Sequence, residues 1–337
     1  MSCYYDYQKS IQIQKLNKIS NELPAFCKQF FTGIEQHTQP STRLKYAYDL
    51  KVFFDYIHNT KFPETDITEM PLCILNDIST YEIEDFLSYI KSYTNFEGKA
   101  IYNNRAGVKS KLAAIKSMYR YFYSHKAITN NATYNLRIPS IQEKNIIRLN
   151  DIQVDEVLNN IENNTVNSYN KGELYIKRDY AVISLLLGTG IRVSECVGID
   201  ISDICFIDCY VQIVRKGGNE DIVYFSDEVR DALYEYYMMR ICIDSESSAF
   251  FLSNRKTRLS VRSVQGLVSK YTKDIKQVSP HKLRATYGTN LYIATKDIYL
   301  VANTLGHSNV DTTKRYYADI PNQQKRLVRN SIRLRKR

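Results

Sequence analysis

The chain has 337 residues, more than one hydrophobic core usually serves, so two lobes are expected. Its 44% apolar and 24% charged residues exclude a fibrous or largely disordered polymer, and no apolar run approaches the ~20 residues needed to span a bilayer. A net charge of +10 points to a polyanionic partner, because a basic surface gains free energy by neutralising phosphates and releasing their counterions.

The stretch from Met1 to Ser10 lacks the apolar core of a secretory signal, so a cytoplasmic protein is expected. Cys3, Cys27, Cys73, Cys196, Cys205, Cys209 and Cys242 form an odd, scattered set without a C-x-x-C pair. That pattern speaks against a disulfide framework or a zinc site and predicts reduced thiols. From Thr42 to His58, Ala47, Leu50, Phe54 and Ile57 recur at helical intervals and predict one buried stripe. A second helix is predicted from about Tyr102 to Ser124, with Val108, Leu112, Ile115, Tyr119 and Phe122 on its packed arc. On the neighbouring arc Arg105, Lys109, Lys116 and Arg120 fall within about 60° of one another, as a solvated face or as a phosphate-binding one.

Turn formers from Thr129 to Ser140, ending in Pro139-Ser140, read as an interdomain linker. Helical periodicity resumes from Leu149 to Ile161 with Asn150 as N-cap. An apolar helix from Asp179 to Leu187 stops at Gly188-Thr189-Gly190, leaving Arg192 at the head of the next helix, a position suited to an anion. Cys209–Val214 and Asp221–Phe225, separated by glycine-containing turn residues, predict a β-hairpin with Lys216 at its tip. The last thirteen residues carry seven Lys or Arg among apolar residues, and the sequence does not choose between DNA, a neighbouring subunit and solvent for them.

Five patterns in the second lobe matter together: Gly188 to Glu195, Arg215 to Gly218, His281-Lys-Leu-Arg284, Leu305-Gly-His-Ser308 and Thr312 to Tyr316. In this order and spacing the chain resembles the tyrosine recombinases, or phage-type integrases, and most closely the Xer-like members that act as single recombinases. The resemblance covers nearly the whole chain. It implies a mainly α fold with a small antiparallel β-sheet, in which a helical core-binding domain precedes an α+β catalytic domain. The expected boundaries are 1–138 for the core-binding domain, 139–148 for the linker, 149–320 for the catalytic domain and 321–337 for the basic tail.

The chemistry can be stated from the residues. Displacement at phosphorus needs a nucleophile, neutralisation of two non-bridging oxygens, and a proton for the departing 5′ oxygen. Arg192 and Arg284 present planar forks of donors to phosphate oxygens and would stabilise the transition state electrostatically. His281, three residues before Arg284, shares its helix face and can donate a proton near neutral pH. His307 follows Gly306, where a helix should end, and Ser308 with Asp311 resembles a capping pair for the next one. By resemblance, Lys216 is the general acid and Tyr316 the nucleophile. Tyr317 points about 100° away on a helix and should pack or stay exposed. The family often carries a histidine directly after the second arginine, and Ala285 stands there.

The resemblance further implies a 3′-phosphotyrosyl link that stores the bond energy, so that no cofactor is needed. It implies double-stranded DNA bearing a recombination site as partner, four protomers on two sites, and exchange through a Holliday junction during integration, excision or dimer resolution. No carboxylate cluster with metal-binding spacing stands out, which speaks against a two-metal nuclease. A type IB topoisomerase would use the same chemistry as a monomer, but the Xer-like spacing and the lack of that family's extra regions favour recombination; a non-cutting regulator would keep the fold without the reaction, and the intact residue set speaks against it.

Overall fold

In the computed structural model, which describes residues 2–94, 98–137, 148–163, 172–307, 309–310 and 313, helices dominate both halves of the chain. The chain divides into one unit formed by Asp6–Glu143 and another formed by Met1–Tyr5 with Lys144–Arg337. Residues 138–147 and 321–337, where the sequence predicts linker and tail, lie outside the described residues. No described helix is long and apolar enough to cross a membrane.

The N-terminal elements are α1 (Ser2–Ser20), α2 (Phe26–Gly33), α3 (Pro40–Lys61), α4 (Ile74–Asp77), α5 (Thr80–Tyr89), β1 (Ser92–Thr94), β2 (Ala100–Tyr102) and α6 (Arg105–Ser124). On α3, Ala47, Leu50, Phe54 and Ile57 are fully buried, as the periodicity predicts. The helix starts two residues earlier than predicted, at Pro40, which is pre-set in φ and needs no N–H partner, and it runs three residues further, to Lys61. The packed arc of α6 is also as predicted, but the helix begins at Arg105. Tyr102 pairs with Ser92 in the β1–β2 hairpin, and the Asn104 side chain caps the helix by accepting from Gly107 N–H at 3.0 Å. The Phe26 ring meets Phe54 and Phe122 edge-on at 5.8 and 5.6 Å, so one side chain ties α2 to α3 and α6. Each such pair adds about 0.5–1.5 kcal/mol beyond its burial.

The other unit continues with α7 (Asp151–Glu162), α8 (Glu173–Thr189), α9 (Val193–Gly198), β3 (Ile204–Cys205), β4 (Tyr210–Val214), β5 (Glu220–Tyr224), α10 (Asp227–Arg240), α11 (Val261–Thr272), α12 (Pro280–Thr295) and α13 (Ile298–Thr304). Asn150 caps α7 as predicted, through a reciprocal pair of bonds with Gln153. Helix α8 is the central spine. Ala181, Val182, Ile183, Leu185 and Leu186 are all buried, so it is covered on several sides, which is why it reads as a continuous apolar run.

The three strands form an antiparallel sheet in the order β3-β4-β5. Strand β4 alternates, with Val211 and Ile213 buried and Gln212 exposed, and it pairs Val211 with Val223. This is the predicted hairpin. The two-residue strand β3 is too short to read from alternation.

Candidate active site

Helix α8 ends at Gly190 in the left-handed region, φ +63°, and the chain turns to place Arg192 at the N-cap of α9. The sequence offers this helix head to an anion, but the protein supplies its own. Glu195, 5% exposed, accepts from Arg192 N–H at 2.6 Å and from the Arg192 guanidinium at 2.8 Å. The start of α9 is therefore occupied by a carboxylate, and the anion-binding capacity at this position belongs to the arginine side chain.

Two further arginines meet the same carboxylate. Arg215, at the end of β4, lies 3.2 Å from its Oε2, and Arg284, from the buried face of α12, lies 4.0 Å from it. Arg215 also pairs with Asp221 at 2.9 Å, so three guanidinium groups against two carboxylates leave one positive charge in excess, held by elements far apart in sequence. The outer nitrogens then converge on the end of α13. Arg215 donates to Thr304 O at 2.9 Å, Arg284 to Leu305 O, and Arg192 to Gly306 O at 3.1 Å. These are carbonyls that a helix end leaves without internal partners, and the negative end of its dipole favours cations. Gly306 is needed there twice over: its φ is +59°, and a β-carbon on it would stand 3.0 Å from Nε of Arg215.

His307 comes directly after these carbonyls. Its Nδ1 is 2.8 Å from the Thr313 hydroxyl, which is buried. Burial first, then the charges of Arg284 and Arg192 and, to a lesser degree, His281 and Arg215, push its pKa down to about 4. The His281 imidazole, on an exposed residue of α12, is also held below its ordinary value, by desolvation of its ring and then by Arg284 and Arg192. Both shifts favour the neutral imidazole, most strongly at His307. A bound phosphodiester, being negative, pushes the other way.

Thus Arg192, Arg284, His281 and His307 share one electrostatic environment. Lys216 is exposed in the β4–β5 turn, which Arg215 N–H closes by donating to Asn219 O at 2.7 Å. Tyr316, Tyr317, Ser308 and Asp311 lie outside the described residues. Ala285 is 7% exposed, so its place on α12 is a packed one. Glu195 and Arg215 are the residues sequence reasoning did not single out. Their signal was present only as membership of two of the five patterns. Among the described residues, no group of three or more His, Cys, Asp or Glu could hold a metal ion.

On α6, in the other unit, Arg105, Lys109 and Arg120 are exposed. Lys116 is not part of that free face. It is half-buried, and its ammonium donates to Leu136 O.

Comparison with known proteins bears directly on this arrangement. The phage integrase family matches residues 148–323, a span that contains every one of the five patterns. The chain belongs to the phage integrase family. It is 27% identical to tyrosine recombinase XerS of Streptococcus sanguinis over 95% of this chain and 99% of the relative. It is 30% identical to tyrosine recombinase XerC of Caldanaerobacter subterraneus subsp. tengcongensis over 85% and 80%. As a member of this family it is an Xer-type tyrosine recombinase, an enzyme of site-specific recombination.

Among solved structures, the XerH site-specific recombinase in a post-cleavage complex with palindromic difH shares 19% identity over 94% of this chain and 88% of its own, with a TM-score of 0.66. A lambda integrase dimer bound to a COC′ core site shares 18% over 89% and 79%, with a TM-score of 0.62. At these identities the likeness is one of fold.

Proposed function

We propose that this integrase-family enzyme cuts and rejoins double-stranded DNA at a specific site through a 3′-phosphotyrosyl intermediate on Tyr316. The Tyr316 phenol oxygen attacks phosphorus and the bond to O5′ breaks. Lys216 gives a proton to the departing oxygen, and a neutral histidine, His281 or His307, takes the proton of the phenol. Arg192 and Arg284 neutralise the non-bridging oxygens. The reverse reaction with another strand's 5′-hydroxyl restores the phosphodiester, so atoms and charge balance without a nucleotide or metal.

The observation that carries this reading is the convergence of Arg192 and Arg284 on Glu195 and on the carbonyls just before His307. The surplus positive charge of three arginines over Glu195 and Asp221 in a partly buried pocket favours a phosphate and, next to it, a phenolate over a phenol.

We further propose that Arg105, Lys109 and Arg120 contact phosphates and that 1–138, 139–148, 149–320 and 321–337 are the core-binding domain, linker, catalytic domain and tail. Four protomers on two DNA sites exchange strands in pairs through a Holliday junction, in the cytoplasm where such DNA resides. The XerH and lambda integrase structures, both on their DNA sites, support the DNA partner.

A nicked suicide substrate tests the reaction. The parent should accumulate a protein–DNA adduct that survives denaturation, and Tyr316→Phe should form none while binding the same DNA. An adduct from Tyr316→Phe equal to the parent's would remove the nucleophile from this assignment.

A further inference from the structure

We infer that Arg215 is a positioning residue for Lys216, holding the proton donor where the 5′ oxygen departs; this rests on the reading of Lys216 given above. Lys216 sits in a turn that has little rigidity of its own. The next two residues, Gly217 and Gly218, have φ of +108° and +96°, a backbone region open to glycine that carries no side chain to pack. A general acid must lie within hydrogen-bond reach of the oxygen it protonates, so a lysine on such a turn needs an anchor close by.

Arg215 is that anchor on both its backbone and its side chain. Its N–H donates to Asn219 O at 2.7 Å and its carbonyl accepts from Gly218 N–H at 3.0 Å, so it closes the turn at the base. Its side chain, 9% exposed, reaches in three directions. It pairs with Asp221 of the opposite strand at 2.9 Å, with the Glu195 carboxylate at 3.2 Å, and with Thr304 O at 2.9 Å. The residue immediately before Lys216 is therefore bolted to the carboxylate that also orders Arg192 and to the helix end that precedes His307. One planar fork with five donors satisfies three acceptors at once, whereas a lysine ammonium, compact on a flexible stem, cannot span them. Arg215 has no need to touch the substrate: each of its three side-chain nitrogens is bonded within the protein, and its effect passes through Lys216.

The test compares full-length enzyme on two nicked DNA substrates that differ only at the scissile bond, with O5′ or with sulfur in its place. A thiol is far more acidic than an alcohol and leaves without being protonated, so the sulfur substrate bypasses the general acid. Arg215→Met should cleave the oxygen substrate at least about tenfold more slowly than the parent and regain most of the loss on sulfur, with DNA affinity unchanged. Arg215→Lys keeps the charge beside Glu195 and should fold even if the methionine variant does not; it too should be slow on oxygen and fast on sulfur.

Lys216→Ala separates the two layers of the argument. If it is slow on oxygen and restored on sulfur while the Arg215 variants are slow on both or on neither, the positioning role is wrong and the acid stands. If Lys216→Ala is equally slow on both substrates, the acid assignment falls and the positioning role falls with it.

Discussion

Arg192 and Glu195 hold each other twice, through the Arg192 backbone N–H at 2.6 Å from one carboxylate oxygen and through its guanidinium at 2.8 Å from the other. The first bond starts helix α9 and the second aims the arginine, so a local capping interaction and the charge arrangement of the site are one structure. Because Arg215 and Arg284 meet the same carboxylate, the acid is what allows three guanidinium groups to be packed together before any phosphate arrives.

Removing that acid should therefore harm both folding and reaction. Glu195→Ala leaves two nearly buried guanidinium groups with a partner missing, and breaking a buried pair from one side costs about 3–5 kcal/mol. Denaturant unfolding of the catalytic unit should show a loss of that order, together with loss of adduct formation. Glu195→Gln keeps the shape and the cap acceptor and should lose less stability. If Glu195→Ala unfolds at the parent's midpoint, the carboxylate is not the organising centre.

His307 makes stability depend on pH. Its folded pKa, about 4, lies below its unfolded value of 6.5, so between these values the unfolded chain binds the additional proton. Its contribution is thus complete above about pH 6.5 and is lost as pH falls toward about 4. His281, shifted the same way, adds to the slope. His307→Gln should flatten the difference in unfolding free energy between about pH 7.5 and about pH 5 by on the order of 1–2 kcal/mol, after allowance for solvent screening. Equal slopes for parent and variant would show that the ring titrates normally.

How much of this was legible follows from the range of the contacts. Arg192, His281, Arg284 and His307 announced themselves because their neighbours recur in fixed local patterns, and α3 and the packed arc of α6 because burial has a helical period. Glu195 and Arg215 did not, since what distinguishes them is contact between residues 20 and 89 apart in sequence. Lys116 shows the same limit on the other unit. On a helical wheel it is equivalent to Arg120, and only the arrival of Leu136 O beside it takes it off the free face. The start of α6 was misplaced for a related reason: Tyr102 belongs to a two-strand pairing that three-residue strands do not reveal.

That difference on α6 gives a measurable contrast. If Arg105, Lys109 and Arg120 bind phosphates, changing each to glutamine should weaken binding of any DNA sequence about equally and reduce the slope of log affinity against log salt by about one per residue. Lys116→Gln should instead leave the salt slope unchanged and lower the melting temperature, because it removes a bond that holds the segment after α6. A drop in salt slope for Lys116→Gln, with none for the other three, would reverse the assignment of the face.

The last test concerns the hinge between the arginines and His307. Gly306 has φ +59°, and a β-carbon there would meet the Arg215 guanidinium at 3.0 to 3.2 Å. Gly306→Ala must therefore bear the left-handed backbone cost of about 1–2 kcal/mol and also displace a side chain that is itself bonded to Glu195, Asp221 and Thr304. The Arg192 bond to Gly306 O depends on the same stretch of backbone. We expect the variant to lose about 1–3 kcal/mol of stability and to slow cleavage more than it weakens DNA binding, because what moves is the alignment of Arg192, Arg215 and His307 and not the surface that meets the duplex. Full activity in Gly306→Ala would mean that the helix end tolerates rearrangement and that the three carbonyls are not what aligns the arginines.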